Sequence, residues 1–196
     1  EEWINKRKYN LRVQDVIKKQ EFRRYGFESS LDHDNAIKDI IGLMQKVEVG
    51  MVYLWDPYLS AEDLLKTWYY TDTFYIPFRA ITSSEAAKAA KDNVRDWINQ
   101  QREYLNNSSN QIGINLEVRC QFENQGFKFH DRFLMIVSKN ESPKVWSLGT
   151  SINGLGKKHH IIQSVSHPQM VVDAFEDLWD KLSAEECLVW KKEIKR

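Results

Sequence analysis

Cysteine is nearly absent: Cys120 and Cys187 are the only two in 196 residues. That excludes a disulfide framework and a cysteine metal spacing, and both thiols are expected to be reduced and buried. Net charge is absent as well, since 28 Lys and Arg offset 28 Asp and Glu, so the global field selects no partner. No apolar run of about 18 residues occurs, nor a cationic leader followed by an apolar stretch. Neither a membrane span nor a signal peptide is therefore expected, and the expected compartment is the cytosol. There is no internal repeat, no low-complexity tract and no serine–histidine–acid triad. The "GLGKK" at 154–158 lacks the spacing of a phosphate-cradling P-loop. The first residue is Glu rather than Met, which fits an origin in a longer protein.

What is present suits one domain with an arm. Apolar residues make up 42% and aromatics 12%, enough for a sizeable core and against wholesale disorder. Residues 1–25 carry Lys6, Arg7, Lys8, Arg12, Lys18, Lys19, Arg23 and Arg24 against Glu1, Glu2, Asp15 and Glu21, a local excess of four cations. Residues 1–30 are expected to form a basic helical arm, helical over 5–24 and ended by Gly26, with 31–196 as the folded domain. Such an arm reads first as a solvated helix face and second as a polyanion contact.

Apolar spacing predicts a helix over 34–46, with Ala36, Ile37, Ile40, Ile41 and Met44 on one face. "VEVGMVYLWD" reads as a buried strand that stops at Asp56-Pro57. Ser60 and Asp63 look like a capping box opening the next helix. "FYIPFRAIT" is a strand whose Pro77 argues for an edge or a bulge, and Ser83 or Ser84 caps one long helix to about residue 105. Strands are predicted over 112–122, 127–137, 144–149 and 159–165, followed by helices near 168–182 and 184–194. This order implies an α/β fold, a mixed sheet with helices on its faces. Trp68, Trp97, Trp179 and Trp190 fall on apolar helical faces, where packing is expected over base stacking.

The chemistry concentrates in "FKFHDRFLMIV". Alternation puts Lys128, His130 and Arg132 on one strand face. Three potential cations there repel unless they serve a common anion. A histidine can attack phosphorus or pass a proton near neutral pH, and a guanidinium can hold phosphate oxygens in a fork. The plainer reading is a core histidine between two snorkelling cations. "GTSIN" at 149–153 then supplies small residues at a strand end, where backbone amides can approach a ligand, with Thr150, Ser151 and Asn153 as neutral hydrogen-bonding groups. Lys157 and Lys158 follow. His159 and His160 are adjacent and face opposite ways on a strand. Asp32 and Asp34 around His33 suit a helix N-terminus better than a metal. Asp56 is read as a turn residue before it is read as a catalytic one. No metal site and no cofactor is expected.

Together these residues resemble the phospholipase D superfamily, whose signature is His-x-Lys, a distant aspartate, then Gly-Ser-x-Asn on the next strand. His130 matches the histidine, Arg132 takes the lysine place, and Ser151 and Asn153 match the serine and asparagine. The resemblance spans roughly residues 47–182, and "WDPYLSAEDLL" is similar to the first strand and helix of some bacterial relatives. It implies one half-unit of a phospholipase D-like fold. It also implies a metal-independent reaction in which one histidine attacks a phosphodiester and a second protonates the leaving group. With one motif in the chain, both histidines would come from a symmetric homodimer. The family's aspartate would fall at Val137, which cannot orient a histidine, and Gln163 is the nearest polar match for a later acidic position.

Two functions follow from the resemblance. The first is a nuclease-type phosphodiesterase, dimeric and cytoplasmic, serving as an effector part of a bacterial defence-type system. His130, Arg132, Ser151 and Asn153 would be catalytic, and Lys128, Thr150, Lys157 and Lys158 would hold phosphate. The second is an inactive module, like His-x-Arg members that close microtubule-interacting-and-trafficking proteins. It would bind nucleic acid, another phosphate-bearing ligand or a protein, and mediate dimerisation.

Overall fold

The computed structural model describes residues 2–18, 21–26, 32–44, 50–68, 76–112 and 115–192. In chain order they give α1 (Glu2–Lys18), β1 (Phe22–Tyr25), α2 (Asp32–Met44), β2 (Gly50–Trp55), α3 (Ala61–Trp68), β3 (Phe78–Ser83), α4 (Ser84–Ala89) and α5 (Val94–Ile112). Then come β4 (Leu116–Gln121), β5 (Phe133–Ser138), β6 (Lys144–Ser147), β7 (His160–Ser164), α6 (Pro168–Lys181) and β8 (Leu188–Lys191). Among the described residues, eight strands form one sheet in the order β1-β7-β6-β5-β2-β3-β4-β8. β2, β3 and β4 run parallel and the other neighbours are antiparallel. The expected mixed α/β class is what forms.

Helices cover both faces, and the strand period explains how. Tyr53, Trp55, Arg79 and Arg119 share one face. α6 lies on it: Phe175 stacks on Tyr53 at 4.5 Å and meets Trp55 edge-on at 5.9 Å. Arg79 and Arg119 sit over the Trp179 ring at 5.0 and 4.1 Å. Val52, Leu54, Ala80 and Val118 point the other way and are at most 2% exposed. Trp190 of β8 extends that row, and its indole N–H donates to Asn106 of α5 at 2.8 Å. α5 in turn reaches α3, where the Ala61 N–H donates to Gln101 at 2.8 Å.

Local signals explain most element ends. The capping box forms as read, with Ser60 N–H on Asp63 at 3.1 Å and Asp63 N–H on the Ser60 hydroxyl at 3.2 Å. Ser83 caps α4 by accepting from the Glu85 N–H at 3.1 Å. The long helix expected to 105 is two helices, because Lys91 turns to φ 58 and Asn93 starts α5 by accepting from the Arg95 N–H at 2.9 Å. Pro77 marks neither an edge nor a bulge. β3 lies inside the sheet and starts one residue later, and the Pro77 carbonyl accepts from Val52 at 3.0 Å.

Both ends of the chain differ from expectation. The helix expected to 24 gives way to β1, which pairs with β7 and is held to α2 by Arg23 and Tyr25 on Asp39. α1 itself is solvated, with Trp3, Tyr9 and Leu11 well exposed. The helix expected over 184–194 is a short turn followed by β8, since β4 would otherwise present an open edge to water. Trp190 is accordingly a strand residue. The expected element ends at 46, 47, 70, 74 and 194, and the expected boundary between residues 30 and 31, lie outside the described residues. No helix among the described residues is long and apolar enough to cross a membrane. Cys120 and Cys187 are buried and free, and burial pushes both thiols up.

Candidate functional site

Strand directions bring one set of ends together. The C-terminal ends of β2, β3, β4 and β6 meet the N-terminal ends of β5 and β7. Trp55 is in register with Phe133, and Phe133 with Ser147. One step beyond the last rung, Asp56, Arg132 and Leu148 therefore lie side by side. The Leu148 N–H donates to the Arg132 carbonyl at 2.9 Å. Strand ends in open α/β sheets are where ligands bind.

A string of hydrogen bonds ties this end. The Arg132 Nε–H donates to Ser151 Oγ at 3.0 Å, and the Ser151 hydroxyl bonds the Asp56 carboxylate. Asp56 also accepts from the Tyr58 N–H at 3.0 Å and the Ile152 N–H at 2.8 Å. Asp56 is 0% exposed and Ser151 7%. Burial raises the Asp56 carboxyl above its ordinary 3.8, while the three donors and the nearby guanidinium pull it down. The Arg132 guanidinium sits 5.5 Å from the Tyr58 ring. The 56–59 loop is pinned from below, as the Ser83 and Thr82 hydroxyls donate to Pro57 and Leu59 carbonyls at 3.0 and 2.9 Å.

His130 is placed differently from the sequence reading. The strand expected over 127–137 begins at Phe133, so Lys128, His130 and Arg132 lie on an extended lead-in. Phe129 explains this: it inserts beside Trp55 at 5.2 Å and anchors the segment off the ladder. Alternation is reduced to Phe129, which is buried, while Phe127, Lys128, His130 and Asp131 are exposed and Arg132 is half-buried. His130 is thus not a core histidine. Glu85, held below its ordinary range first by Lys88, also feels His130 and Lys128. No hydrogen bond orients the His130 ring among the described residues.

The 149–158 segment owes its path to Gly149. It has φ +66, and a Cβ there would lie 2.5 Å from the Ile161 carbonyl. Thr150 is half-buried and its hydroxyl faces Gly154. Asn153, Lys157 and Lys158 are exposed, and Asn153 and Lys157 border a cavity against α2 and α3.

Arg132 and Ser151 are thus brought into contact, Lys128 and His130 share the field of Glu85, and Asn153 stands with Lys157. His33 bonds the Leu155 carbonyl at 2.5 Å. His160 is buried and stacked on Tyr25 at 5.0 Å, while His159 is exposed. Val137 lies within β5 and Gln163 within β7. The carboxylate on the serine comes from Asp56, one residue past the end of β2, which the turn reading of "DPY" set aside. Its signal was an acid closing an apolar run.

No family model matches the chain, and no curated protein does. Among solved structures it is similar to a polyphosphate kinase from Porphyromonas gingivalis, at 11% identity and TM-score 0.46 over 90% of this chain and 26% of that one. It is also similar to NucT from Helicobacter pylori, at 12% identity and TM-score 0.49 over 86% of this chain and 99% of that one. A third likeness is to TrmBL2, an archaeal chromatin protein with a novel mode of DNA binding, at 10% identity and TM-score 0.42, over 93% and 65% of the two chains. The chain spans about a quarter of the kinase's length. At such low identities and scores, any functional reading has to stand on this chain's own geometry.

Proposed function

We propose that the chain is a phospholipase D-like domain that takes a phosphodiester, with nucleic acid as the leading ligand, at the strand end built from Asp56, Ser151 and Arg132. One observation carries the reading. Arg132 is held from behind through Nε, and its two Nη groups make no hydrogen bond among the described residues. A guanidinium fixed in this way offers its fork to two phosphate oxygens. His130 is exposed two residues away.

In a dimer of two copies, one His130 attacks phosphorus and the bond to the leaving oxygen breaks. The second His130 protonates that oxygen. Water then attacks the phosphohistidine with the second histidine as base, which restores the first. Lys128, Thr150 and Lys158 would bear on the phosphate from the flanks.

A second reading, binding without hydrolysis, is favoured by the absence of an orienting hydrogen bond on His130 among the described residues. Incubation with labelled DNA and RNA in EDTA separates the two. The first reading expects product from the wild type and none from His130→Ala. Product that survives the substitution, or that EDTA abolishes, overturns it. Salt-sensitive binding that weakens in Arg132→Ala, with no product from the wild type, selects the second.

A further inference from the structure

A cavity of about 860 Å³ lies between α2, α3 and residues 152–157, a volume typical of small-molecule sites. Its lining is of two kinds. Ile37, Ile41 and Ile152 form an apolar floor, whereas Lys38, Lys66 and Lys157 stand on its border with Asp34 and Asp63.

The border charges are not equivalent. Lys66 is paired with Glu62 at 2.6 Å. Asp63 is occupied by the Ser60 N–H and hydroxyl at 3.1 and 2.7 Å. The ammonium groups of Lys38 and Lys157 have no partner among the described residues. His33, also on the border, spends Nδ1 on the Leu155 carbonyl at 2.5 Å.

Two uncommitted cations beside an apolar floor select an anion joined to an apolar body. A bare anion would leave the isoleucines wet, and a neutral apolar molecule would leave the lysines unused. We propose that this cavity binds a small organophosphate with a planar body, a nucleoside monophosphate being the class that suits it. The phosphate meets Lys38 and Lys157, and the ring lies on Ile37, Ile41 and Ile152. Asp34 and Asn153, both exposed on the border, suit the ribose hydroxyls and the base edge. His130, Arg132 and Tyr58 are not among the lining residues, so this site does not depend on the strand-end reading.

Calorimetric titration of the full chain with AMP, adenosine and inorganic phosphate tests the proposal. AMP is expected to bind one to one and at least about tenfold more tightly than either of its parts. Lys38→Ala and Lys157→Ala, both at exposed positions, each weaken AMP about tenfold. Ile37→Trp fills the floor and abolishes binding, with circular dichroism confirming that the variant is folded. Arg132→Ala stays within about twofold of the wild type. Absence of AMP binding overturns the proposal. So does loss of binding in Arg132→Ala with Lys38→Ala silent, which would put the nucleotide at the strand end and leave the other reading standing.

Discussion

Two residues apart on one turn, Ser151 and Asn153 live in different worlds. Ser151 is 7% exposed, accepts from Arg132 and bonds a carboxylate that water does not reach. Asn153 is exposed beside Lys157. The same contrast separates Arg132, half-buried over Tyr58, from His130, exposed on the lead-in. A buried polar group must find its partners within the fold, so Asp56, Ser151 and Arg132 define a rigid inner string. The outer residues have met no such requirement, because water can satisfy their polar atoms.

The contrast can be broken most directly at Asp56. Asp56→Ala orphans the Tyr58 and Ile152 N–H groups and leaves Ser151 without its carboxylate. Urea denaturation should show a loss of about 3 kcal/mol. A loss below about 1 kcal/mol would mean that the string is not load-sharing but incidental. Ser151→Ala comes next, removing the link between Arg132 and Asp56 while leaving the two backbone donors in place. It should cost about 1.5 kcal/mol.

Acidity sharpens the same point. Burial holds the folded Asp56 carboxyl above the 3.8 of an ordinary aspartate, so between those two values the folded chain binds a proton that the unfolded chain has released. Stability contributed by Asp56 relative to Asp56→Asn is therefore greatest at low pH. It declines as pH rises from 3.8 through the raised folded value, then levels off. Denaturation midpoints of the two proteins across that window give the sign. A wild type that gains on the variant with rising pH would show that the donors and Arg132 outweigh burial.

The smallest effect is expected outside. His130→Ala and Asn153→Ala should each shift stability by no more than about 0.5 kcal/mol. A larger shift at either residue would move it into the inner string.

The two regions were unequally legible in the sequence. Alternation in "FKFHDRF" grouped Lys128, His130 and Arg132 on one side, and small residues at a strand end foretold the 149–153 turn. The strand itself was misplaced, because Phe129 packs on Trp55 rather than joining the ladder. Short apolar runs were the weak point. "LVWK" near the C-terminus and "FRRY" near the N-terminus are strands only because β4 and β7 offer them edges.

By itself, the sequence determined the alternation of helices and strands and the mixed α/β class, through periodicity and spacing that act along the chain. Only the tertiary structure decided that Asp56 would serve Ser151, and that Asn153 would look into a different cavity. Asp56 and Ile152 are 96 positions apart and meet at 2.8 Å. Strand order sets which ends adjoin, and water exclusion then fixes which polar atoms must pair. Neither is written in any local stretch of residues.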